Sequence, residues 1–146
     1  MKTLLITLSL LAAAAHAADC RQVADQLNSR LTPKLDAAEL AATLTVLNRD
    51  GRLPERFMTK RDANAAGWKP GRDLWQVPGL DGKSIGGDRF GNRERALPRG
   101  DWREADLDYK GGRRGAKRLL FEPRANGRRF VTVDHYSHFE EIAACR

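Results

Sequence analysis

Asp101-Trp102-Arg103-Glu104-Ala105-Asp106-Leu107-Asp108-Tyr109 is the stretch whose reading decides the fold. As a β-strand it has two faces, because successive side chains of a strand point to opposite sides. Arg103, Ala105, Leu107 and Tyr109 fall on one face, and Trp102, Glu104, Asp106 and Asp108 on the other. The second face sets three carboxylates in a chain of net charge +7. Such acids are either solvated or held among cations, and Arg113, Arg114, Lys117 and Arg118 follow within a few residues. Near the C-terminus, Asp134-His135-Tyr136 closes a second expected strand. A carboxylate on one strand and an imidazole on another could serve as a base and an acid. Spacing alone favours a sheet with a solvated charged face and does not identify an enzyme.

Outward from that stretch, the periodicity is two from Gly79 onward. Strands are expected at 84–90, 102–109, 118–122, 128–135 and, more weakly patterned, 138–143. Turns at Lys110-Gly111-Gly112 and at Arg124-Ala125-Asn126-Gly127 suit antiparallel hairpins. The region before Gly79 has helical spacing instead. Val23, Leu27 and Leu31 recur every four residues, which predicts an amphipathic helix over 20–31, ended by Pro33. Asp36 with Glu39 is a start signal for a second helix that buries Leu40, Leu44 and Leu47 and stops at Asp50-Gly51. Thr59 with Asp62 starts a third, ending at Gly67, and 72–76 reads as a turn or so of a fourth. Helices first and antiparallel strands later make an α+β protein, with the helices on one face of the sheet. No internal repeat or low-complexity segment interrupts the pattern.

Residues 1–17 read as a secretory signal. Lys2 supplies the positive start, 4–15 the apolar run, and Ala15-His16-Ala17 the small-x-small cleavage site. The run is too short to span a bilayer. What remains is ample for one domain and too short for two. Cys20 and Cys145 both survive cleavage, and an even count in an exported chain reads as a disulfide. Two free thiols are the alternative, and two cysteines alone make a poor metal site. In the chain-entropy model, closing so long a loop stabilises by about 5 kcal/mol. Residues 18–35 are then a helical extension stapled to the C-terminus, and 36–146 the main domain. The mature protein is expected in the periplasm or outside the cell, as a monomer free of the membrane.

Four ordered motifs narrow the function: Gly82-Lys83-Ser84-Ile85-Gly86-Gly87-Asp88, Phe90-Gly91-Asn92-Arg93-Glu94, Trp102-Arg103-Glu104-Ala105-Asp106 and Asp134-His135-Tyr136. In this order they resemble the barnase-type, guanyl-preferring microbial ribonucleases. The resemblance is dense from Leu53 to about Phe139, looser from Leu40, and absent before that. It implies the microbial ribonuclease fold and metal-independent cleavage of single-stranded RNA 3′ to guanosine, by transesterification to a 2′,3′-cyclic phosphate and then hydrolysis, with no cofactor. Glu104 matches the family's general base and His135 its general acid. Lys60, Arg114 and Arg118 match the cations around the phosphate, and Tyr136 an aromatic whose hydroxyl assists there. Phe90, Asn92, Arg93 and Glu94 resemble the guanine-binding loop, with Phe90 placed to stack on the base. Asp106 matches a carboxylate that orients Arg114 and Arg118, and Asp88 one that holds Lys60. Asp134, or a carboxylate near it, is expected beside His135. His138 has no matching role, and Trp68 and Trp102 read as packing residues. A barstar-like acidic inhibitor protein is the implied partner.

Three departures bear on base choice. Arg113 stands where the pattern has an aromatic, Arg95 replaces a glycine, and the connection from 98 to 102 is shorter. The basic balance alone also fits a non-catalytic protein that binds RNA or another polyanion.

Overall fold

A computed structural model describes residues 16–146. The expected signal segment therefore lies outside the described residues except for His16 and Ala17. Three helices come first: α1 (Cys20–Asn28), α2 (Ala37–Asp50) and α3 (Lys60–Ala65), with β1 (Phe57–Met58) before α3. One 3₁₀ turn (Leu74–Gln76) leads to β2 (Ser84–Phe90), β3 (Trp102–Asp106), β4 (Arg118–Phe121), β5 (Arg129–Thr132) and β6 (Glu140–Glu141). The six strands form one sheet in chain order. β1 and β2 are parallel and every later pair is antiparallel. This is the expected α+β architecture. Among the described residues no helix is long and apolar enough to cross a membrane.

Local chemistry sets the helix ends. Asp36 caps α2 by accepting from Glu39 N–H at 3.0 Å, and Thr59 caps α3 by accepting from Asp62 N–H at 3.2 Å. Each satisfies a backbone donor that the first turn leaves unpaired. Gly51 ends α2 at φ 69°. A side chain there would be strained and would also meet the backbone of Ala125, so glycine lets the helix end dock on the hairpin after β4. At the same junction the buried Arg129 donates to Asn48 Oδ1 at 3.0 Å, to the Glu122 carbonyl at 2.7 Å and to the Arg124 carbonyl at 2.7 Å. Burial pulls that guanidinium down to about 10.

The main core lies between the helices and one face of the sheet. Val23, Ala24 and Leu27 of α1, and Leu40, Leu44 and Leu47 of α2, pack on Ala105, Leu119, Phe121 and Val131. The opposite face carries a smaller cluster in which Trp102 and Leu120 meet Phe90, Phe130, Tyr136 and Phe139. Trp68 is buried in a third cluster with Leu74, Ile85 and Tyr109. The two tryptophans are thus packing residues, as read. The alternation along 102–107 holds, with Ala105 and Leu107 toward the helices and Trp102 away from them. It fails at Tyr109, which leaves its expected companions because Asp108 takes a left-handed φ of 56°.

The strands are shorter than their patterns. β3 stops at Asp106, where Asp108 turns out of the ladder to accept from Asp36 N–H and from Lys117 Nζ. β5 stops at Thr132, because His135 and Tyr136 both have positive φ, 53° and 70°. α1 likewise ends three residues before Leu31, which is still buried in the core.

Cys20 and Cys145 form a disulfide across a sequence separation of 125. A parallel bridge pairs Ala18 with Cys145, and Cys20 N–H donates to the Arg146 carbonyl at 3.2 Å. The segment before α1 and the C-terminal segment are thereby joined over α2, where Asn48 Nδ2 donates to the Cys145 carbonyl at 3.0 Å. Replacing both cysteines by serine is expected to cost about 2–5 kcal/mol. That corresponds to a fall in Tm of about 8–20 °C for a domain this size. Calorimetry of the double variant checks it, and an unchanged Tm would mean that α1 is held by packing alone.

Candidate active site

The site face of the sheet is built by register. Asp88 of β2 faces Glu104 of β3, Glu104 faces Leu120 of β4, and Asp106 faces Arg118. Arg118 in turn faces Thr132 of β5, just before the turn that carries His135 and Tyr136. A bulge between Gly86 and Asp88 shifts β2 so that Asp88 and Phe90 share the face of Glu104 and Trp102. Phe90, Asn92, Arg93, Glu94, Glu104, His135 and Tyr136 all line one cleft of about 910 Å³. Seven of the residues singled out in the sequence, from three separate motifs, therefore converge.

Glu104 is mostly covered, its side chain 12% exposed. Tyr136 Oη donates to its Oε2 at 2.7 Å, and Lys60 Nζ stands 3.9 Å from its Oε1. Burial, followed by the bond to this carboxylate, pushes the Tyr136 hydroxyl up to about 12. The phenol therefore stays a donor across the neutral range and holds one oxygen of Glu104 in place.

Asp106 sits behind Glu104, 2% exposed. It receives two bonds from Arg114, Nε to Oδ2 at 2.7 Å and Nη2 to Oδ1 at 2.8 Å. Arg118 Nε lies 3.0 Å from Asp106 Oδ1, too poorly aligned for a hydrogen bond. Arg118 Nη1 instead donates to the Gly115 and Lys117 carbonyls at 2.6 and 2.9 Å. Asp106 thus holds both arginines, one by a forked hydrogen-bonded pair and one by charge. Its bond to Arg114 is the chief reason that this guanidinium is raised above its ordinary value, with a smaller contribution from the charge of Glu104.

Two expected contacts take a different form. Asp88 does not grip the Lys60 ammonium; its Oδ2 accepts from the Lys60 backbone N–H at 3.0 Å. It fixes the start of α3, and the free ammonium turns to Glu104. Asp134 does not support His135 either. Its Oδ2 lies 2.6 Å from His138 Nδ1, and its Oδ1 accepts from His138 N–H and from Thr132 Oγ1, both at 2.9 Å. These contacts, led by the His138 ring, hold the Asp134 carboxyl down to about 2. His138 is exposed, yet it closes the turn that presents His135. Within that turn Tyr136 N–H donates to Thr132 Oγ1 at 3.1 Å, and His135 N–H reaches the Ala116 carbonyl at 3.1 Å.

The loop after β2 is tied by Asn92, whose Nδ2 donates to the Leu97 carbonyl at 2.8 Å and whose Oδ1 accepts from Leu97 N–H at 3.0 Å. Asn92 and Arg95 are both left-handed, φ 47° and 55°. Arg95 therefore keeps the conformation that the missing glycine would allow freely. Phe90 stacks on Tyr136 with centroids 5.3 Å apart, and Glu94 is exposed at the cleft. Arg113 lies beside Gly71 and does not line the cleft. Arg89, Ser137 and Phe139 also line it. No pattern in the sequence marked them, apart from their adjacency to Phe90 and Tyr136.

A family model described as ribonuclease matches residues 40–143. The ribonuclease of Heyndrickxia coagulans is 43% identical over 95 residues, which cover 62% of this chain and 84% of that protein. The chain belongs to the barnase-type family of microbial ribonucleases. The ribonuclease of Bacillus intermedius is also 43% identical over 95 residues, with 62% of this chain and 56% of that longer protein covered. The family match begins within α2 and leaves α1 outside. The residues that line the cleft all fall within the matched range.

Proposed function

We propose that this protein is an exported endoribonuclease that cleaves single-stranded RNA on the 3′ side of guanosine without a metal. The observation that carries this reading is the convergence of Glu104 and His135 on one cleft, with Lys60, Arg114 and Arg118 grouped about Glu104 and Asp106. RNA offers a 2′-hydroxyl next to each phosphorus. Glu104 takes the 2′ proton as the 2′-oxygen bonds to phosphorus. The bond from phosphorus to the 5′-oxygen breaks, and His135 delivers a proton to the departing oxygen. Arg114, Arg118 and Lys60 stabilise the charge that builds on the phosphoryl oxygens, and the two arginines, already held by Asp106, need little rearrangement. In the second step His135 takes a proton from water, the water oxygen opens the 2′,3′-cyclic phosphate, and Glu104 returns a proton to the 2′-oxygen.

Guanine recognition rests on the 91–96 loop. Among the described residues the backbone N–H groups of Asn92 and Arg93 make no backbone hydrogen bond, which leaves them free to meet O6. The Glu94 carboxylate accepts from N1–H and the 2-amino group, two donors that adenine does not present there. Glu94→Ala is expected to lower kcat/KM for guanosine-containing dinucleotides about 10²–10³-fold, from the loss of two bonds to a charged acceptor. Substrates with other bases should change less than threefold. A uniform loss across bases would remove the loop from base choice.

Export, a mature chain that starts after residue 17, and a helical extension over 18–35 belong to the same proposal. So does a barstar-like acidic inhibitor that meets the basic cleft by charge complementarity. The direct test is digestion of matched RNA and DNA oligonucleotides, each with a single guanosine, in EDTA. Cleavage of the RNA alone, 3′ to guanosine and leaving a 2′,3′-cyclic phosphate, is the expected result. RNA bound but uncut would instead mark a non-catalytic polyanion-binding protein.

A further inference from the structure

The helix side of the sheet is not covered to its end. α2 stops at Gly51, and beyond it a second cleft of about 250 Å³ opens over Leu53, Phe57 and Phe121, with Arg52 and Arg103 on its wall. The register explains what surrounds it. Arg103 of β3 lies directly opposite Arg89 of β2 on this same face, and like charges so placed repel. Little offsets them within the protein. Among the described residues Arg52 and Arg89 have no carboxylate in ion-pair contact, and Arg103 has only the exposed Asp101 at 3.7 Å. Asp50, two residues before Arg52, is already paired with Arg49, and Glu122, next to Phe121 of the floor, with Arg128, each at 2.8 Å.

Arg89 also lines the catalytic cleft. β1 pairs only with Ser84 and Ile85, so no strand covers the outer edge of β2 beyond them, and 89–90 stand at the rim between the two clefts. Cation therefore follows cation from the catalytic cleft, over this rim, to the apolar floor on the other face. We propose that this floor, with Arg52, Arg89 and Arg103 around it, is a second contact for the RNA strand whose guanosine occupies the catalytic cleft. The inference rests on the ribonuclease reading above. The cleft is smaller than the ~300–1,000 Å³ of sites that engulf a small molecule, which suits one base laid on an apolar surface. Arginines beside it fit the other half of a nucleotide, pairing with the flanking phosphates and stacking their planes on the base.

The test compares Arg52→Ala/Arg103→Ala with the unaltered protein on two substrates, a guanosine dinucleotide and a 20-nucleotide RNA with one central guanosine. The dinucleotide is too short to reach the second cleft, so its kcat/KM is expected to stay within twofold. For the long RNA kcat/KM should fall about tenfold, through KM. The slope of log KM against log salt should shrink by about 1.4, from two lost phosphate contacts at about 0.7 each on a single strand. Equal losses on both substrates, or no loss on the long one, would overturn the proposal. So would an equal loss in the charge-matched Arg21→Ala/Arg30→Ala variant, since net charge would then explain the effect. If the unaltered protein cleaves neither RNA, the ribonuclease reading itself has failed. The second contact is then read from fluorescence anisotropy of the labelled 20-mer, and an unchanged Kd in the double variant would overturn it separately.

Discussion

Glu104→Gln is expected to lower kcat about 10²–10⁴-fold while RNA affinity and Tm stay close to those of the unaltered protein. The range is what a positioned general base contributes. Glutamine keeps the shape of the side chain, and its carbonyl oxygen can still accept from Tyr136, whose hydroxyl now reaches Oε2 at 2.7 Å. It cannot accept a proton from a 2′-hydroxyl. The surrounding cations remain, with Lys60 Nζ 3.9 Å away and Arg114 tied to Asp106, so phosphate binding does not depend on the lost carboxylate. Single-turnover cleavage of a labelled RNA, alongside anisotropy for binding and calorimetry for folding, separates the three effects. Cleavage within tenfold of normal would take Glu104 out of the base role. A large loss of affinity would place it in binding instead.

What could be read from the sequence is what local chemistry dictates. Asp36 with Glu39 and Thr59 with Asp62 announce caps because a side-chain oxygen three residues before a free N–H has few other uses. The alternation of Trp102, Ala105, Asp106 and Leu107 announces faces, because a strand cannot present its side chains otherwise. The ends of the strands were less legible. Asp108, His135 and Tyr136 adopt left-handed φ, and nothing in their identity requires it, since the conformation is imposed by what their neighbours hold. Asp108 is drawn to Asp36 N–H and Lys117. The turn at His135 is tied by Thr132 and Asp134.

The same limit governs the site. Motif resemblance named Glu104, His135 and the cations, and the fold gathers Glu104 and His135 with the 90–94 loop into one cleft. The form of the support around them was not legible where two partners compete for one carboxylate. Asp88 holds Lys60 by its backbone N–H at the start of α3, and the ammonium turns to Glu104 instead. Asp134 chose His138, four residues on in the same turn, over the adjacent His135. Each choice follows from turn geometry, which residue spacing does not carry.

Asp106 presents the opposite case, a carboxylate whose environment was legible and whose removal should cost most in stability. Asp106→Ala would remove the carboxylate paired with both Arg118, itself 4% exposed, and the half-buried Arg114. Breaking a buried pair from one side typically costs about 3–5 kcal/mol, a large share of the roughly 5–15 kcal/mol that holds a domain together. Urea unfolding is expected to show that loss, with kcat/KM falling as well because both arginines lose their fixed positions. Stability and function can then be separated. Asp106→Leu combined with Arg118→Met replaces the buried charges with apolar groups of similar volume, an exchange that is often neutral or stabilising. Arg114 keeps a route to solvent, with 21% of its side chain exposed. The double variant should therefore regain most of the lost stability while cleavage stays at least 10²-fold below normal. Recovery of both together would mean that Asp106 and Arg118 serve folding alone. Recovery of stability without activity would mean that the sheet carries this buried ion cluster for the phosphate it faces.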